Sequence, residues 1–163
     1  MALLKGTNSY VTTAEADAYF LDRIDVADWS AATPEVKDRA LVTATTILEN
    51  IAWAGSVVSD TQSLAFPRSG HYFDPRLGSN TSFDEETVPD RIVKATMELA
   101  YHLILNDGLL DSEGSVKDLT VGGSQSGIVL KSIRKPSILP PMVNNLIQPI
   151  RVNNGANSWW RSN

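Results

Sequence analysis

Apolar side chains recur at helical spacing over residues 36–53 and again over 92–104, but the 32 residues from 56 to 87 that lie between follow no period. Val36, Ala40, Leu41, Ala44, Ile47, Leu48 and Ile51 form one stripe along a helix. Ile92, Val93, Met97, Leu99, Ala100, Leu103 and Ile104 form another. The segment between them carries Pro67, Gly70, Pro75, Gly78 and the polar run Ser79-Asn80-Thr81-Ser82. A loop this long is uncommon inside a small domain, and such loops are commonly functional or ordered only by a partner.

Start and stop signals bound the helices. Thr12-Thr13-Ala14-Glu15 fits the capping-box pattern and predicts a helix over 13–23, with Ala16, Tyr19 and Phe20 on one face. Trp29 falls in the connection that follows. Thr33-Pro34-Glu35 supplies a hydroxyl cap, a first-turn proline and an acid against the helix dipole, and Gly55 stops the run. Thr87-Val88-Pro89-Asp90 starts the next helix, which ends near Asn106-Asp107-Gly108. After residue 114 the texture becomes β, and two apolar runs around Gly122-Gly123-Ser124-Gln125-Ser126-Gly127 predict a hairpin over 116–133. Pro140-Pro141 leads into a short amphipathic segment with Met142, Val143, Leu146, Ile147 and Ile150. The expected fold is mainly α: a small bundle of three to four helices with a β-hairpin and an extended C-terminal tail.

A chain of 163 residues, 42% of them hydrophobic, fits one core rather than two, here residues 1–150 with a tail over 151–163. The absence of cysteine removes disulfides, thiolate nucleophiles and cysteine zinc sites. No run approaches the roughly 18 apolar residues of a membrane span, and the opening MALLKGTNSY lacks a signal peptide's apolar core, so the expected place of synthesis is the cytoplasm. The net charge of -5 is unevenly placed. Residues 1–113 hold 18 acids against 8 bases, whereas 114–163 hold one acid against six bases. An acidic body and a basic end suit different surfaces, or each other in neighbouring copies.

Candidate chemistry is sparse. Ser69 and His71 flank Gly70 in the aperiodic segment, but alternate residues of extended chain point to opposite sides, and no G-x-S-x-G elbow surrounds the serine. His102 lies about thirty positions further on, near a helix's apolar face, and no H-x-x-x-H spacing suggests a metal. Asp84-Glu85-Glu86 reads as a solvated acidic helix start. No lysine follows the glycines at 122–127 as a phosphate loop requires. No catalytic residue, cofactor or metal is expected. Trp159, Trp160 and Arg161 could stack on bases locally, although a pI near 4.9 opposes nucleic-acid affinity for the domain as a whole.

The opening Asn8-Ser9-Tyr10-Val11-Thr12 with Glu15-Ala16-Asp17-Ala18-Tyr19-Phe20, the pair Trp53 and Gly55, the stretch Gln62-Ser63-Leu64-Ala65-Phe66-Pro67-Arg68-Ser69-Gly70, and Val88-Pro89 before a long helix together resemble a family of small tailed-phage virion proteins. These are head-tail connector, or adaptor and head-completion, proteins, whose relatives often carry the label DnaT-like single-strand DNA-binding protein. The resemblance spans about 8–149. It implies a structural virion protein and no enzyme: a homo-oligomeric ring, typically of twelve copies, docked on the portal protein at the head-tail interface, offering a platform to a tail or tail-completion protein and passing packaged double-stranded DNA through its lumen. Under it, Phe66, Arg68, Trp159, Trp160 and Arg161 become candidates for subunit or portal contacts, with an elbow closed within its own subunit as the alternative for Phe66 and Arg68. The other function it carries is single-stranded DNA binding, against which the acidic balance counts.

Overall fold

A computed structural model describes residues 2–105, 115–116, 119–121, 128–130, 133–134 and 139–152. Ser9, Tyr10 and Val11 are buried just ahead of helix α1 (Thr13–Leu21). That helix begins with the expected capping box: Thr12 Oγ1 accepts from the Glu15 amide at 3.2 Å, and Glu15 Oε2 accepts from the Thr12 amide at 2.8 Å. The connection expected around Trp29 is instead a second helix, α2 (Ala27–Ala31). Five residues are too few to hold a helix by propensity, and burial of Trp29 against Phe20, ring centroids 4.6 Å apart, supplies the support. In α3 (Pro34–Glu49) the Thr33 hydroxyl makes no cap bond, so the start rests on Pro34 and Glu35.

α3 packs on α4 (Asp90–Leu105), and α4 packs on α5 (Pro141–Ile147), which runs into a 3-10 turn at Gln148–Ile150. The buried faces follow the helical stripes: Leu41, Ala44 and Leu48 from α3, Ile92, Ala95 and Leu99 from α4, Val143 and Ile147 from α5. Thr45 and Thr96 are also buried, and each hydroxyl donates to the carbonyl one turn back, Leu41 at 3.0 Å and Ile92 at 2.8 Å. Buried Glu98 accepts from the Tyr19 hydroxyl at 2.6 Å and lies 3.1 Å from Arg23 Nη1, so the charge inside is paired. No described helix is long and apolar enough to cross a membrane.

The expected mainly α bundle of three to four helices is corrected by residues 56–87. The described residues form a small mixed α/β fold of five α-helices with short antiparallel strand pairs. β1 (Ser56–Val57) pairs with β2 (Arg68–Ser69). β3 (His71–Asp74) pairs with β4 (Ser79–Ser82), from His71 opposite Ser82 to Asp74 opposite Ser79. Four-residue strands are too short for alternation to stand out in a sequence, although Asp74-Pro75-Arg76-Leu77-Gly78 has the composition of a turn. Gly55, at φ +73°, is required where β1 meets β2, because a Cβ there would lie 2.1 Å from the Ser69 carbonyl oxygen. Further along, β5 (Ser115–Val116) pairs with β8 (Ile133–Arg134), and β6 (Leu119–Val121) with β7 (Ile128–Leu130). The 122–127 tip and the tail over 153–163 lie outside the described residues.

The chain between β1 and β2 is irregular, and two side chains satisfy its backbone. Gln62 accepts from the amides of Val58 and Ser59 and donates to the carbonyls of Leu64 and Pro67. Arg68 donates to the carbonyls of Ala54, Ala65 and Gly55 at 2.8, 3.1 and 2.6 Å. Phe66 is 3% exposed, with Tyr10, Trp53 and Phe83 at ring-centroid distances of 6.2, 5.3 and 6.0 Å. Replacing Phe66 by Ala should therefore remove about 3–5 kcal/mol of stability, the usual range for a buried phenylalanine. Urea unfolding checks this, and a loss under about 1 kcal/mol would show that the ring does not hold the loop to the core.

Candidate functional site

The β3–β4 hairpin stands on one buried carboxylate. Asp74 is 1% exposed, and its Oδ1 accepts from the Arg76 amide at 2.9 Å, the local bond that bends the chain into the turn. Its carbonyl accepts from Leu77 at 3.1 Å and Gly78 at 2.9 Å. The Arg76 guanidinium folds back on the same carboxylate, Nη2 to Oδ2 at 2.7 Å. Arg91 on α4 comes within 3.7 Å of Oδ1, so the carboxylate ties hairpin to helix. Arg76, through its side chain and then its amide, holds the Asp74 carboxyl down from its ordinary 3.8 to about 2.

Period-two alternation then sorts the remaining hairpin side chains. Tyr72 turns inward and stacks on Phe83, ring centroids 4.6 Å apart with planes at 29°. His71 and Phe73 face outward, Phe73 being 52% exposed. Between the hairpin and α4 lies an open cleft of about 380 Å³. Tyr72 and Phe83 form its aromatic side, and Arg76, Arg91 and Lys94 bring three cations to its rim. Asp84 and Asp90 also line it. Lys94 Nζ sits 2.7 Å from Asp90 Oδ2, one turn away on α4. Asp84 is occupied by its own loop, accepting from the Glu86 amide at 2.9 Å and the Thr87 hydroxyl at 2.8 Å, and these bonds hold its carboxyl below the ordinary range. The cleft thus offers stacking surface, cations and fixed acceptors in one place.

Residues singled out from the sequence are distributed differently. Phe66 belongs to the core and presents no face to a partner. Arg68 is half-buried, and its guanidinium is engaged with carbonyls of its own chain. No hydrogen bond joins Ser69 to His71, and the Ser69 hydroxyl points to the Ser56 carbonyl at 3.5 Å. Trp159, Trp160 and Arg161 lie outside the described residues. The cleft residues Tyr72, Arg76, Phe83, Arg91 and Lys94 were not legible as a site. The one sequence signal was Arg91 and Lys94 at adjacent positions of a helix face, and it acquires meaning only once the hairpin lies beside it.

The description "Putative DnaT-like ssDNA binding protein" belongs to a family that matches residues 2–151, and the chain is a member of that family. No curated protein and no solved structure matches it. The match bears out the DnaT-like label that the resemblance carried as its other name, and corrects the expected virion head-tail connector identity. The motifs behind that expectation serve the fold: Thr12 and Glu15 cap α1, Tyr10, Phe20 and Phe66 fill the core, and Arg68 binds backbone. Side chains engaged in this way carry no information about a portal or a ring.

The Asp74 carboxylate has a pH signature. A folded-state pKa near 2, below the unfolded 3.8, means that its stabilisation is complete above about pH 4 and is lost as pH falls towards 2. The melting temperature of wild type minus that of Asp74→Asn should be positive and constant above pH 4 and should shrink between pH 4 and 2. A difference that stays constant through this window would show that the charge on Asp74 does not anchor the hairpin.

Proposed function

We propose that the protein binds single-stranded DNA, with the β3–β4 hairpin and the cleft beside α4 as the contact surface. Membership of the DnaT-like family supports the polymer, and the meeting of the half-buried Tyr72 ring with Arg76, Arg91 and Lys94 in one cleft supports the place. Exposed bases stack on aromatic side chains, while the cations neutralise the phosphates that follow. Phe73, exposed on the outer face of the same hairpin, offers a second stacking position. The function proposed is binding alone, with no catalytic step.

Charge fixes the character of the binding. The chain carries -5 overall, and Asp84 and Asp90 stand beside the three cations, so long-range attraction to DNA is weak. Stacking then supplies a large share of the affinity, and few counterions are released. With Arg91 and Lys94 as the two phosphate contacts on a single strand, Arg76 being held by Asp74, the slope of log K against log salt is about -1.4. Fluorescence anisotropy of a labelled oligothymidylate between 50 and 200 mM salt should give that shallow slope. Arg91→Ala with Lys94→Ala should flatten it by about 1.4, and Phe73→Ala should lower affinity by about 1–3 kcal/mol with the slope unchanged. Equal binding of duplex DNA, or affinity untouched by all three changes, would overturn the proposal.

A further inference from the structure

We propose that the cleft holds a single nucleotide and prefers guanine, read by the Asp84 carboxylate. The inference rests on the single-strand binding reading above and names the base that the same site selects. At about 380 Å³ the cleft is near the lower end of ligand sites, room for one nucleotide rather than a stack of several. Half-buried Tyr72, backed on one side by buried Phe83, takes the face of a base, and Arg91 and Lys94 take the phosphate. The base edge then meets the remaining polar lining, Ser82 and the two carboxylates, of which the carboxylates carry charge.

An ionised carboxylate only accepts hydrogen bonds, so it selects edges that donate. Guanine alone among the four bases presents two adjacent donors on its Watson–Crick edge, N1–H and the N2 amine, which two carboxylate oxygens can accept together. Thymine places its one donor between two carbonyl oxygens, and these would face the carboxylate with like charge. Asp84 suits this role better than Asp90 because it is fixed in advance. Its Oδ1 takes the Glu86 amide and its Oδ2 the Thr87 hydroxyl, and each oxygen keeps a further lone-pair direction. Asp90 is 75% exposed and paired with Lys94, an i,i+4 contact of the weak class. When Lys94 turns to a phosphate, Asp90 returns to water and need not read the base.

The test compares a labelled nine-mer of thymidine with the same strand carrying one central guanosine, and with one carrying inosine there, by fluorescence anisotropy. A bidentate contact predicts that the guanosine strand binds about tenfold or more tighter than the thymidine strand. The inosine strand, lacking the N2 amine, should fall between them. Asp84→Asn keeps an oxygen for the Glu86 amide but can no longer accept twice, so it should bring the guanosine, inosine and thymidine strands to equal affinity. Circular dichroism checks that the variant folds. Equal affinity for the three strands in wild type, or a preference that survives Asp84→Asn, overturns the guanine inference and leaves strand binding standing. Absence of binding to all three strands overturns both.

Discussion

The fold depends on a chain of aromatic contacts centred on Phe66. Tyr10 from the N-terminal segment, Trp53 from the chain just after α3 and Phe83 from beyond the hairpin all meet its ring, and Tyr72 extends the chain through Phe83. The strands alone could not hold this region. β1–β2 pairs two residues on each side and β3–β4 four, and an isolated hairpin is marginal in water. Burying a phenylalanine contributes about 1.5–3 kcal/mol, and aromatic pairs add about 0.5–1.5 kcal/mol each. Ring packing therefore outweighs the short ladders. Glu49 joins the same assembly, accepting from the Tyr10 hydroxyl and, at 2.9 Å, from the Ala65 amide, so the loop before Phe66 is bonded to α3 as well. Burial, and then Glu49, pushes the Tyr10 hydroxyl pKa upward, which keeps it a hydrogen-bond donor.

How far the sequence could be read follows from the length of each signal. α3 and α4 each run 16 residues, long enough for a helical stripe to be unmistakable, and the Thr12–Glu15 cap is a local pattern with one meaning. α2 is five residues held by one tryptophan, and β3 and β4 are four each, so no window of useful length contains a period. The expectation of an irregular 56–87 loop failed for this reason. It was sound about the chain between β1 and β2, where Gln62 and Arg68 take the place of a ladder. The candidate site was hidden for a different reason. Arg76 and Arg91 are 15 positions apart and share only Asp74, whose burial cannot be inferred from Phe-Asp-Pro-Arg in a sequence.

Electrostatics ranks the three cations of the cleft. At physiological salt, exposed charges more than about 8 Å apart are largely screened, so the net charge of the chain matters less at the cleft than its immediate neighbours. Arg76 is bound by two nitrogens to a carboxylate that is itself buried, and leaving it would strand that charge. Arg76 is therefore a fixed wall of the turn. Lys94 is held by an exposed partner one turn away, a contact of about 0.3–0.5 kcal/mol. Arg91, at 3.7 Å from Asp74, lies between these cases. A phosphate entering the cleft would recruit Lys94 first, at little cost, and Arg91 only by loosening the tie between hairpin and α4.

The resemblance carried two functions, a connector and a single-strand DNA binder, and the family match bears on the second; the structure explains why short motifs could not separate them. The stretch Gln62-Ser63-Leu64-Ala65-Phe66-Pro67-Arg68-Ser69-Gly70 is engaged within the subunit. Gln62 and Arg68 satisfy backbone, Leu64 and Phe66 are buried, and Gly70 adopts φ +113° where the chain passes from β2 to β3. A motif whose side chains are spent inside the subunit specifies a fold, and one fold serves many functions. The residues that line the cleft or stand exposed beside it, Phe73, Arg91, Lys94 and the two carboxylates, lie outside the motifs. The parts of this chain that are easiest to recognise are therefore those that say least about its use.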